Sequence, residues 1–309
     1  MCEYNKIDSC EKALDYAIRD YELKDKDKFA KKSGYTIKKE KKTYWNYLSN
    51  GAWEEFKRKM KKAHLCQFED ADGGEMKEKK GRWGIYPPKM ASFGSSSRFL
   101  YSVSKDIEGF QFEKLLPTRV GGSANLDGYI MRNDVDFFVE AKCREIYGSH
   151  KTVEISNVYE EIYKELHKSY PEFSFKNNGK EDDEHFNCTF KFNGKEIIHF
   201  DIKQLICHFL AISANILENE NANKNIQFIY LIFNPKCNTC FENEKVSSYK
   251  GRIDKIYKET IDEIGEFDME RLFKSIFEIQ AKRLGLEGEK DSLFEFHRVD
   301  QDKYKEIIK

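Results

Sequence analysis

The chain has 309 residues, of which 35% are charged and 14% aromatic, with eight cysteines and a formal net charge of −1. A chain with this aromatic content is not expected to be disordered, despite its high fraction of charged residues. Its length allows one large domain or a core domain with a smaller appendage. No apolar run is long enough to span a bilayer and no signal-peptide pattern opens the chain, so we expect a cytoplasmic protein with reduced thiols. The net charge neither demands nor excludes a nucleic-acid partner, because phosphate binding depends on local clustering of charge.

The first 94 residues are predicted to form a helical region followed by a loop. Asp8 with Glu11 can cap a first helix whose apolar face includes Leu14. A second helical region is predicted from about Tyr44 to His64. The segment 69–97 is rich in Gly, Pro and Ser and is predicted to be a long loop, and loops of that length are often functional.

Two features in or next to this region are compatible with contact with phosphate. Lysine-rich runs at 24–42 and 57–62 are interleaved with aromatic residues and can follow a DNA backbone, although a solvated helix face explains them equally well. Ser95, Ser96 and Ser97 stand before a predicted helix, whose N-terminus can hold an anion.

Residues 95–309 are predicted to form one domain with the element order helix, three strands, helix, strand. Ser95 caps the first of these helices and Asp201 the second. The last strand, 226–233, is a continuous β-branched and aromatic run typical of a buried central strand. This order predicts an α/β or α+β sheet with a helix on each face.

An insertion at about 147–200 interrupts this order. It contains an amphipathic helix predicted to bury Val158, Ile162 and Leu166 on one side, and a hairpin that turns at Asn193-Gly194. The role of the insertion is not readable from its residues.

The second and third strands form a hairpin that carries unexpected charges. Asn133 and Asp134 tolerate a positive φ and are predicted to close a two-residue turn. That register places Asp127 directly opposite Glu140, with Lys142 on the same face because side chains alternate along a strand. A slip of one residue would separate the two carboxylates.

Two opposed carboxylates repel each other, and burial raises the pKa of one of them unless a cation lies between them. Mg²⁺ binds through one or two carboxylates together with water and phosphate oxygens. Lys142 can then stabilise charge on a phosphoryl group. The alternative is a solvated sheet face, but Phe138 shares that face and Ala141 is small enough for close backbone approach. We therefore favour metal chemistry.

The pattern Asp127 … Glu140-Ala141-Lys142 resembles that of the PD-(D/E)xK, or restriction-endonuclease-like, nucleases. The stretches "GGEM", "PPKMASFGSSSRFLY", "FEKLLPT", "NLDGYI" and "VEAKCREIY" are similar, in that order, to a bacterial group of these proteins. The resemblance covers residues 73–235 and implies an αβββαβ core with a mixed sheet between helices. Leu126 stands where the PD-(D/E)xK motif has its proline, a position that varies among members of the superfamily.

The resemblance also implies roles for particular residues. Asp127 and Glu140 would bind the metal, with the carbonyl of Ala141 as a third ligand, and Lys142 would be the catalytic lysine. A further metal-binding glutamate would be Glu113, or less favourably Glu75. The helix after the motif would send Gln204, or less favourably Lys203, into the site.

Other polar residues have weaker functional interpretations. Cys237 and Cys240 form half of a zinc-site pattern without a second half nearby. His199 and His208 are interpreted as core histidines, and we assign them no role.

We therefore expect a Mg²⁺-dependent DNA endonuclease of restriction or defence type, in which Mn²⁺ can substitute. RNA stays open as a substrate, and by analogy with double-strand cutters the chain can work as a homodimer. Two alternatives remain: a catalytically silent DNA-binding or assembly protein on the same fold, and a zinc-binding structural module.

Overall fold

The computed structural model describes residues 8–24, 31–70, 75–81, 84–147, 151–180, 182, 184–219, 222, 225–235, 244–286 and 292–308. Its helices are α1 (Cys10–Lys24), α2 (Asn50–Lys59), α3 (Lys62–Asp70), α4 (Ser96–Ser104), α5 (Glu160–Ser169), α6 (Ile202–Glu218), α7 (Glu244–Ser247), α8 (Lys250–Gly265), α9 (Met269–Leu284) and α10 (Gln301–Ile308). Its strands are β1 (Ser33–Ile37), β2 (Lys42–Leu48), β3 (Lys79–Gly81), β4 (Gly84–Tyr86), β5 (Gln111–Pro117), β6 (Ser123–Arg132), β7 (Val135–Lys142), β8 (Val153–Ser156), β9 (Phe173–Lys180), β10 (His185–Phe192), β11 (Lys195–Glu196), β12 (Asn225–Ile232) and β13 (Leu293–Val299).

The N-terminal region is less helical than predicted. The segment Tyr44–Leu48 belongs to strand β2, which pairs antiparallel with β1, so the helix predicted from Tyr44 is wrong over these residues. Its aromatic side chains are half-buried on both faces of a small sheet, an environment that favours a strand over a helix. The helix α2 follows once the side chain of Ser49 caps it by accepting from the amide of Ala52.

A second hairpin, β3 with β4, lies within the long loop predicted at 69–97. It docks on the first hairpin, because the hydroxyl of Tyr44 donates to the carbonyl of Ile85 at 3.2 Å. The predicted cap of α1 is also different, since the Ser9 hydroxyl, rather than Asp8, accepts from the amide of Lys12.

The protein is a mixed α/β structure built on a five-stranded sheet with the order β13-β12-β7-β6-β5. The strands β5, β6 and β7 are antiparallel neighbours, whereas β12 runs parallel to both β7 and β13. The predicted order of helix, three strands, helix and strand is observed as α4, β5, β6, β7, α6 and β12. The run predicted to be a buried central strand is β12, which is paired on both edges.

The turn between β6 and β7 has the predicted geometry. Asn133 and Asp134 have φ values of 49° and 60°, and the ladder runs from Arg132 opposite Val135 to Gly128 opposite Val139. The predicted register is confirmed over these five pairs. It also makes Asp127 and Glu140 the next residues of the two strands.

Hydrophobic cores lie on both faces of the central sheet. One contains Val139 and Ala141 together with apolar residues of α1 and α4, and the other contains Phe138 and Phe228 together with residues of α6 and α9. Each fully buried Val or Phe side chain contributes about 1.5–3 kcal/mol. The helices on the two faces therefore hold β7 in place between them.

The insertion folds as a four-stranded antiparallel sheet of β8 to β11 with helix α5 beside it. The hairpin predicted at Asn193-Gly194 is confirmed, with Phe192 opposite Lys195. Ile162 and Leu166 are buried as predicted, but Val158 is half exposed because the chain is still in a short 3-10 turn at that point. Within the described ranges, no helix is long and apolar enough to cross a membrane.

Candidate active site

Three neighbouring strands bring three carboxylates to equivalent positions across the sheet. Glu113 of β5 lies between the pairs Phe112–Gly128 and Lys114–Leu126, which places it opposite Asp127 of β6. Glu140 of β7 follows directly after the last β6–β7 pair. Glu113, Asp127 and Glu140 therefore form a row, although they are far apart in the chain.

The backbone at Glu113 has a φ of 55°, in the left-handed region that non-glycine residues rarely adopt. Such a residue in a strand costs of order 1–3 kcal/mol and is typical of functional sites. Phe112, which precedes it, belongs to the core on one face of the sheet, whereas Leu116 belongs to the core on the other. The conformation of Glu113 thus reverses the side-chain alternation of β5 where the row of carboxylates begins.

Asp127 marks the point where β6 and β7 stop pairing through their backbones. Its Oδ2 accepts a hydrogen bond from the amide of Ala141 at 2.8 Å, so the side chain replaces the carbonyl partner that the ladder no longer supplies. Ala141 is fully buried between Glu140 and Lys142. The predicted role of the Ala141 carbonyl as a metal ligand stays a prediction.

Helix α6 holds the polar side chains of β7 from the other side. Lys142 Nζ lies 2.6 Å from Glu140 Oε1 and donates to Gln204 Oε1 at 2.6 Å. His208, one turn further along α6, lies with Nε2 2.9 Å from Glu140 Oε2. Glu140 is therefore held at both oxygens, and Lys142 is held between a carboxylate and an amide.

Glu140, Lys142 and Gln204 border a cleft of about 470 Å³, which we call the acidic cleft. Its carboxylates are Glu75, Glu113, Asp127, Glu140 and Glu145, its cations are Lys89, Lys142 and Arg144, and its remaining lining is Tyr47, Ser92, Gly94, Ser95, Ser96, Ser97, Asn125 and Gln204. Glu75 enters the acidic cleft from the N-terminal region and pairs with Lys89 at 3.2 Å.

Burial and mutual repulsion raise the pKa values of two of the carboxyl groups. Burial, and then the charges of Glu140 and Glu113, raise the pKa of Asp127 well above its usual value. Burial, and then the charge of Glu75, raise the pKa of Glu113 to about 7, against the hydrogen bond that Asn125 donates at 2.6 Å. Ionisation of Asp127 and of Glu113 is therefore unfavourable in the folded protein.

The pKa of Glu140 moves the other way. Burial raises it, but the positive charge of Lys142 and the interaction with His208 outweigh burial and lower it to about 2. In turn burial lowers the pKa of the Lys142 ammonium group, but Glu140, together with Tyr230, Glu145 and Asp127, outweighs burial and raises it. Glu140 and Lys142 are thus a charged pair at neutral pH.

The donor set fits a divalent cation in its chemistry. Carboxylate oxygens are the ligands that Mg²⁺ prefers, and two of them, Glu75 Oε2 and Glu113 Oε1, are buried without a hydrogen-bond partner among the described residues. Within the same residues, no three His, Cys, Asp or Glu side chains already stand in a metal-binding arrangement. Binding therefore requires the carboxylates of the acidic cleft to converge.

The acidic cleft brings together most of the residues predicted for the site. Glu113, Asp127, Glu140, Lys142 and Gln204 all line it, as does Glu75. The three serines predicted to hold an anion line it as well, and Ser95 caps α4 by accepting from the amide of Arg98 at 3.3 Å.

Some predicted residues lie elsewhere. Lys203, the weaker alternative to Gln204, donates instead to the carbonyl of Glu154 in the insertion at 2.7 Å. Cys237 and Cys240 lie outside the described residues, so the zinc interpretation is untested.

The sequence analysis assigned no role to several residues of the site, of which His208 and Asn125 contact predicted site residues directly. His208 was interpreted as a core histidine, yet it lies four residues after Gln204 on α6, a spacing that puts both on one helix face. That spacing was the available signal. Asn125, which donates to Glu113, gave no signal of its own, because its role depends on the pairing of β5 with β6.

Neither a family model, nor a curated protein, nor a solved structure matches the chain. The site is an open polar cleft in a mixed α/β protein, with acidic side chains on three strands, a charged lysine beside them and a serine-capped helix N-terminus at its rim. Such groups suit metal-assisted chemistry on a phosphate ester.

Proposed function

We propose that the protein is a divalent-cation-dependent nuclease of the PD-(D/E)xK type, which hydrolyses phosphodiester bonds in DNA in a restriction or defence role. The observation that carries the proposal is the row of Glu113, Asp127 and Glu140 across three strands, with Lys142 beside it in an open cleft. The element order from α4 to β12 agrees with the αβββαβ core of that superfamily.

Asp127 and Glu140 would hold the cation, with Glu113 as a further ligand from β5. When bound, Mg²⁺ or Mn²⁺ supplies Lewis-acid stabilisation of the scissile phosphate and lowers the pKa of a coordinated water. Glu75 lines the same cleft and has a buried oxygen without a hydrogen-bond partner among the described residues. It is the alternative to Glu113 as the further metal ligand.

Lys142 supplies a fixed positive charge where negative charge develops on the phosphate. Its high pKa keeps it protonated at neutral pH, so it acts as an electrostatic and hydrogen-bonding group rather than as a general base. Gln204 accepts from Lys142 and fixes the direction of the ammonium group. Such preorganisation avoids the cost of reorienting the group during the reaction.

The N-terminus of α4 is suited to the non-reacting oxygens of the same phosphate. Ser96 and Ser97 in its first turn line the acidic cleft, where helix amides point outward and the helix dipole favours an anion. Hydrolysis then breaks one P–O bond of the backbone and adds the elements of water across it.

The test is digestion of bacterial genomic DNA, whose length supplies every short target sequence, in Mg²⁺ and in EDTA. We expect the wild type to cut in Mg²⁺ alone, and Asp127→Ala, Glu140→Ala and Lys142→Ala to lose about 100-fold or more in rate, the usual cost of removing one transition-state contact. Equal cutting by all four proteins would refute the assigned site. DNA binding without cutting by the wild type would favour the catalytically silent alternative.

A further inference from the structure

Two N-terminal hairpins carry a dense group of exposed lysines. They are Lys38, Lys39, Lys41 and Lys42 at the turn between β1 and β2, and Lys77, Lys79 and Lys80 at the start of the β3–β4 hairpin. We call these two hairpins together the lysine double hairpin. Seven positive charges so close together stand out in a chain whose net charge is −1.

The two hairpins are joined into one unit by hydrogen bonds. Glu40, in the first turn, accepts from the amide of Ile85 in β4 at 2.7 Å. Tyr35 of β1 donates to Glu78, next to β3, at 3.3 Å. With the Tyr44–Ile85 bond, these contacts fix the two groups of lysines relative to each other.

The same contacts occupy the two glutamates that interrupt the lysines. Glu40 and Glu78 are bonded to an amide and to a tyrosine hydroxyl, and within the described ranges none of the seven lysines forms an ion pair. Glu40 and Glu78 keep their negative charges, but seven lysines against two glutamates leave this surface with a net positive charge.

The lysines of helix α8 provide a contrast. Lys250, Lys255 and Lys258 are also exposed, but each pairs with an acidic residue four positions later, at 3.0, 3.6 and 4.0 Å respectively. Lysines on an ordinary solvated helix face form ion pairs with neighbouring acidic residues, as those of α8 do. Within the described ranges, the seven lysines of the lysine double hairpin form none.

The lysine double hairpin is connected to the acidic cleft through both hairpins. Tyr47 of β2 lines the cleft, and Lys42 begins the same strand five residues earlier, roughly 16 Å away along an extended chain. Glu75 also lines the cleft and is two residues from Lys77. Phosphates repeat about every 3.4 Å of axis along each DNA strand, so a span of roughly 16 Å corresponds to about five base-pair steps.

We propose that the lysine double hairpin binds the phosphate backbone of duplex DNA next to the site of cleavage. The choice of DNA rests on the proposed function, whereas the affinity for a polyanionic backbone rests on the lysines alone. Each phosphate that a lysine neutralises releases counterions, which makes binding dependent on salt.

The test variant changes Lys38, Lys39, Lys79 and Lys80 together to Gln. Lys41 is left because its φ is 53°, and Lys42 because its ammonium lies 4.6 Å from the ring centre of Tyr44. A matched control changes Lys255, Lys258, Lys274 and Lys282 to Gln, which removes the same charge from exposed positions of α8 and α9. A third protein carries Arg at the four test positions.

Binding of a fluorescent DNA duplex of 30 base pairs is measured in EDTA between 50 and 200 mM salt, where no cutting occurs. We expect the test variant to bind about tenfold or more weakly at 100 mM salt, and its plot of log affinity against log salt to be shallower by about 2 to 4, at about 0.9 per phosphate contact. The control and the Arg protein are expected to match the wild type.

Three outcomes would overturn the proposal: no binding by the wild type, equal loss in the control variant, or tighter binding of an RNA duplex than of DNA. Digestion of genomic DNA in Mg²⁺ separates this proposal from the proposed function. If the wild type binds through these lysines but does not cut, the nuclease assignment fails and the surface stands. If it cuts and the test variant binds and cuts normally, the surface fails and the nuclease stands.

Discussion

His208 Nε2 lies 2.9 Å from Glu140 Oε2, and both side chains are almost completely buried. Because the pKa of Glu140 is lowered to about 2, its carboxylate is ionised, and the histidine nitrogen is the donor of this bond. The opposite oxygen of Glu140 is held by Lys142 at 2.6 Å. The proposed metal ligand is therefore oriented by a residue of α6 that lies outside the sequence motif.

We expect His208 to act as a positioning residue. Leu at this position fills the space but leaves Glu140 Oε2 without its donor, and loss of such a supporting contact typically costs 10–100-fold in metal affinity or activity, as an order of magnitude. His208→Leu should therefore raise the Mg²⁺ concentration for half-maximal cutting by about 10- to 100-fold. The measurement is the initial rate of DNA cutting against Mg²⁺ concentration.

His208→Gln is the conservative variant, since its amide can still donate, and we expect it to recover most of the Mg²⁺ affinity. Ser213→Ala is the matched control, because Ser213 is fully buried on the same helix but its hydroxyl has no hydrogen-bond partner among the described residues. An unchanged Mg²⁺ requirement in His208→Leu, or an equal change in Ser213→Ala, would rule out a positioning role.

Divalent cations should stabilise the protein through the row of carboxylates. Since burial and repulsion raise the pKa of Asp127, its ionisation is unfavourable in the folded protein; Asp127→Asn removes this ionisable group and should melt at a higher temperature than the wild type in EDTA. In Mg²⁺ at 100 times its Kd, the wild type should gain about 2.7 kcal/mol and the variant much less. Thermal unfolding in the two conditions measures both effects.

Glu259→Gln is the control for this experiment. Glu259 lines a different cleft together with Asp262 and Glu263 of α8, and it does not line the acidic cleft. Its response to Mg²⁺ should equal that of the wild type. Equal stabilisation of Asp127→Asn and the wild type would place the cation elsewhere.

Asp15 gives a dependence of stability on pH. Burial raises its pKa to about 6, against the favourable effects of Arg144 and Asn46. The folded state therefore binds this proton more tightly than the unfolded state, so the stability that it contributes, fully present below a pH of 3.8, is lost as the pH rises through about 6. At 1.36 kcal/mol per pKa unit the change is about 3 kcal/mol.

Asp15→Asn should lack this dependence. We expect its free energy of unfolding, minus that of the wild type, to rise by about 2–3 kcal/mol between pH 4 and pH 8 in urea titrations. Asp254→Asn, on the exposed face of α8, is the control. A difference between Asp15→Asn and the wild type that is independent of pH would contradict the assignment of Asp15.

Gly128 is constrained by packing. A Cβ atom added there would lie 2.4 Å from Phe110 Cζ and 3.1 Å from Leu100 Cδ2. Gly128→Ala should therefore lower the free energy of unfolding by about 1–3 kcal/mol, as overpacking does. Gly51, on helix α2, has open space around it, and Gly51→Ala should raise stability by about 0.4–1 kcal/mol. Two changes of the same sign would contradict this packing.

The hairpin of the site was predictable because its turn is local. Asn133 and Asp134 determine the register of β6 with β7, and that register follows from adjacent residues without knowledge of the rest of the fold. Glu113 was assigned from the resemblance alone, and its place beside Asp127 depends on a third strand and on a positive φ that no residue pattern announces.

Other features depended on tertiary contacts. The strand at Tyr44–Leu48 was predicted as helix because its aromatic spacing suits either structure, and its pairing with β1 decides between them. Lysines at 38–42 were predicted only as an even choice between DNA contact and a solvated face. Glu40 and Glu78 bond to an amide and a tyrosine hydroxyl instead of pairing with those lysines, which is visible only in the folded chain.

The central claim is that the charged pair of Glu140 and Lys142, together with Asp127, hydrolyses phosphodiesters with a divalent cation. The most direct measurement is the initial rate of strand scission of genomic DNA in Mg²⁺, in EDTA, and with Lys142→Ala in Mg²⁺. We predict scission by the wild type in Mg²⁺ and none in EDTA. The rate of Lys142→Ala in Mg²⁺ should be lower than that of the wild type by about 100-fold or more. Scission that persists in EDTA, or at the full rate in Lys142→Ala, would contradict it.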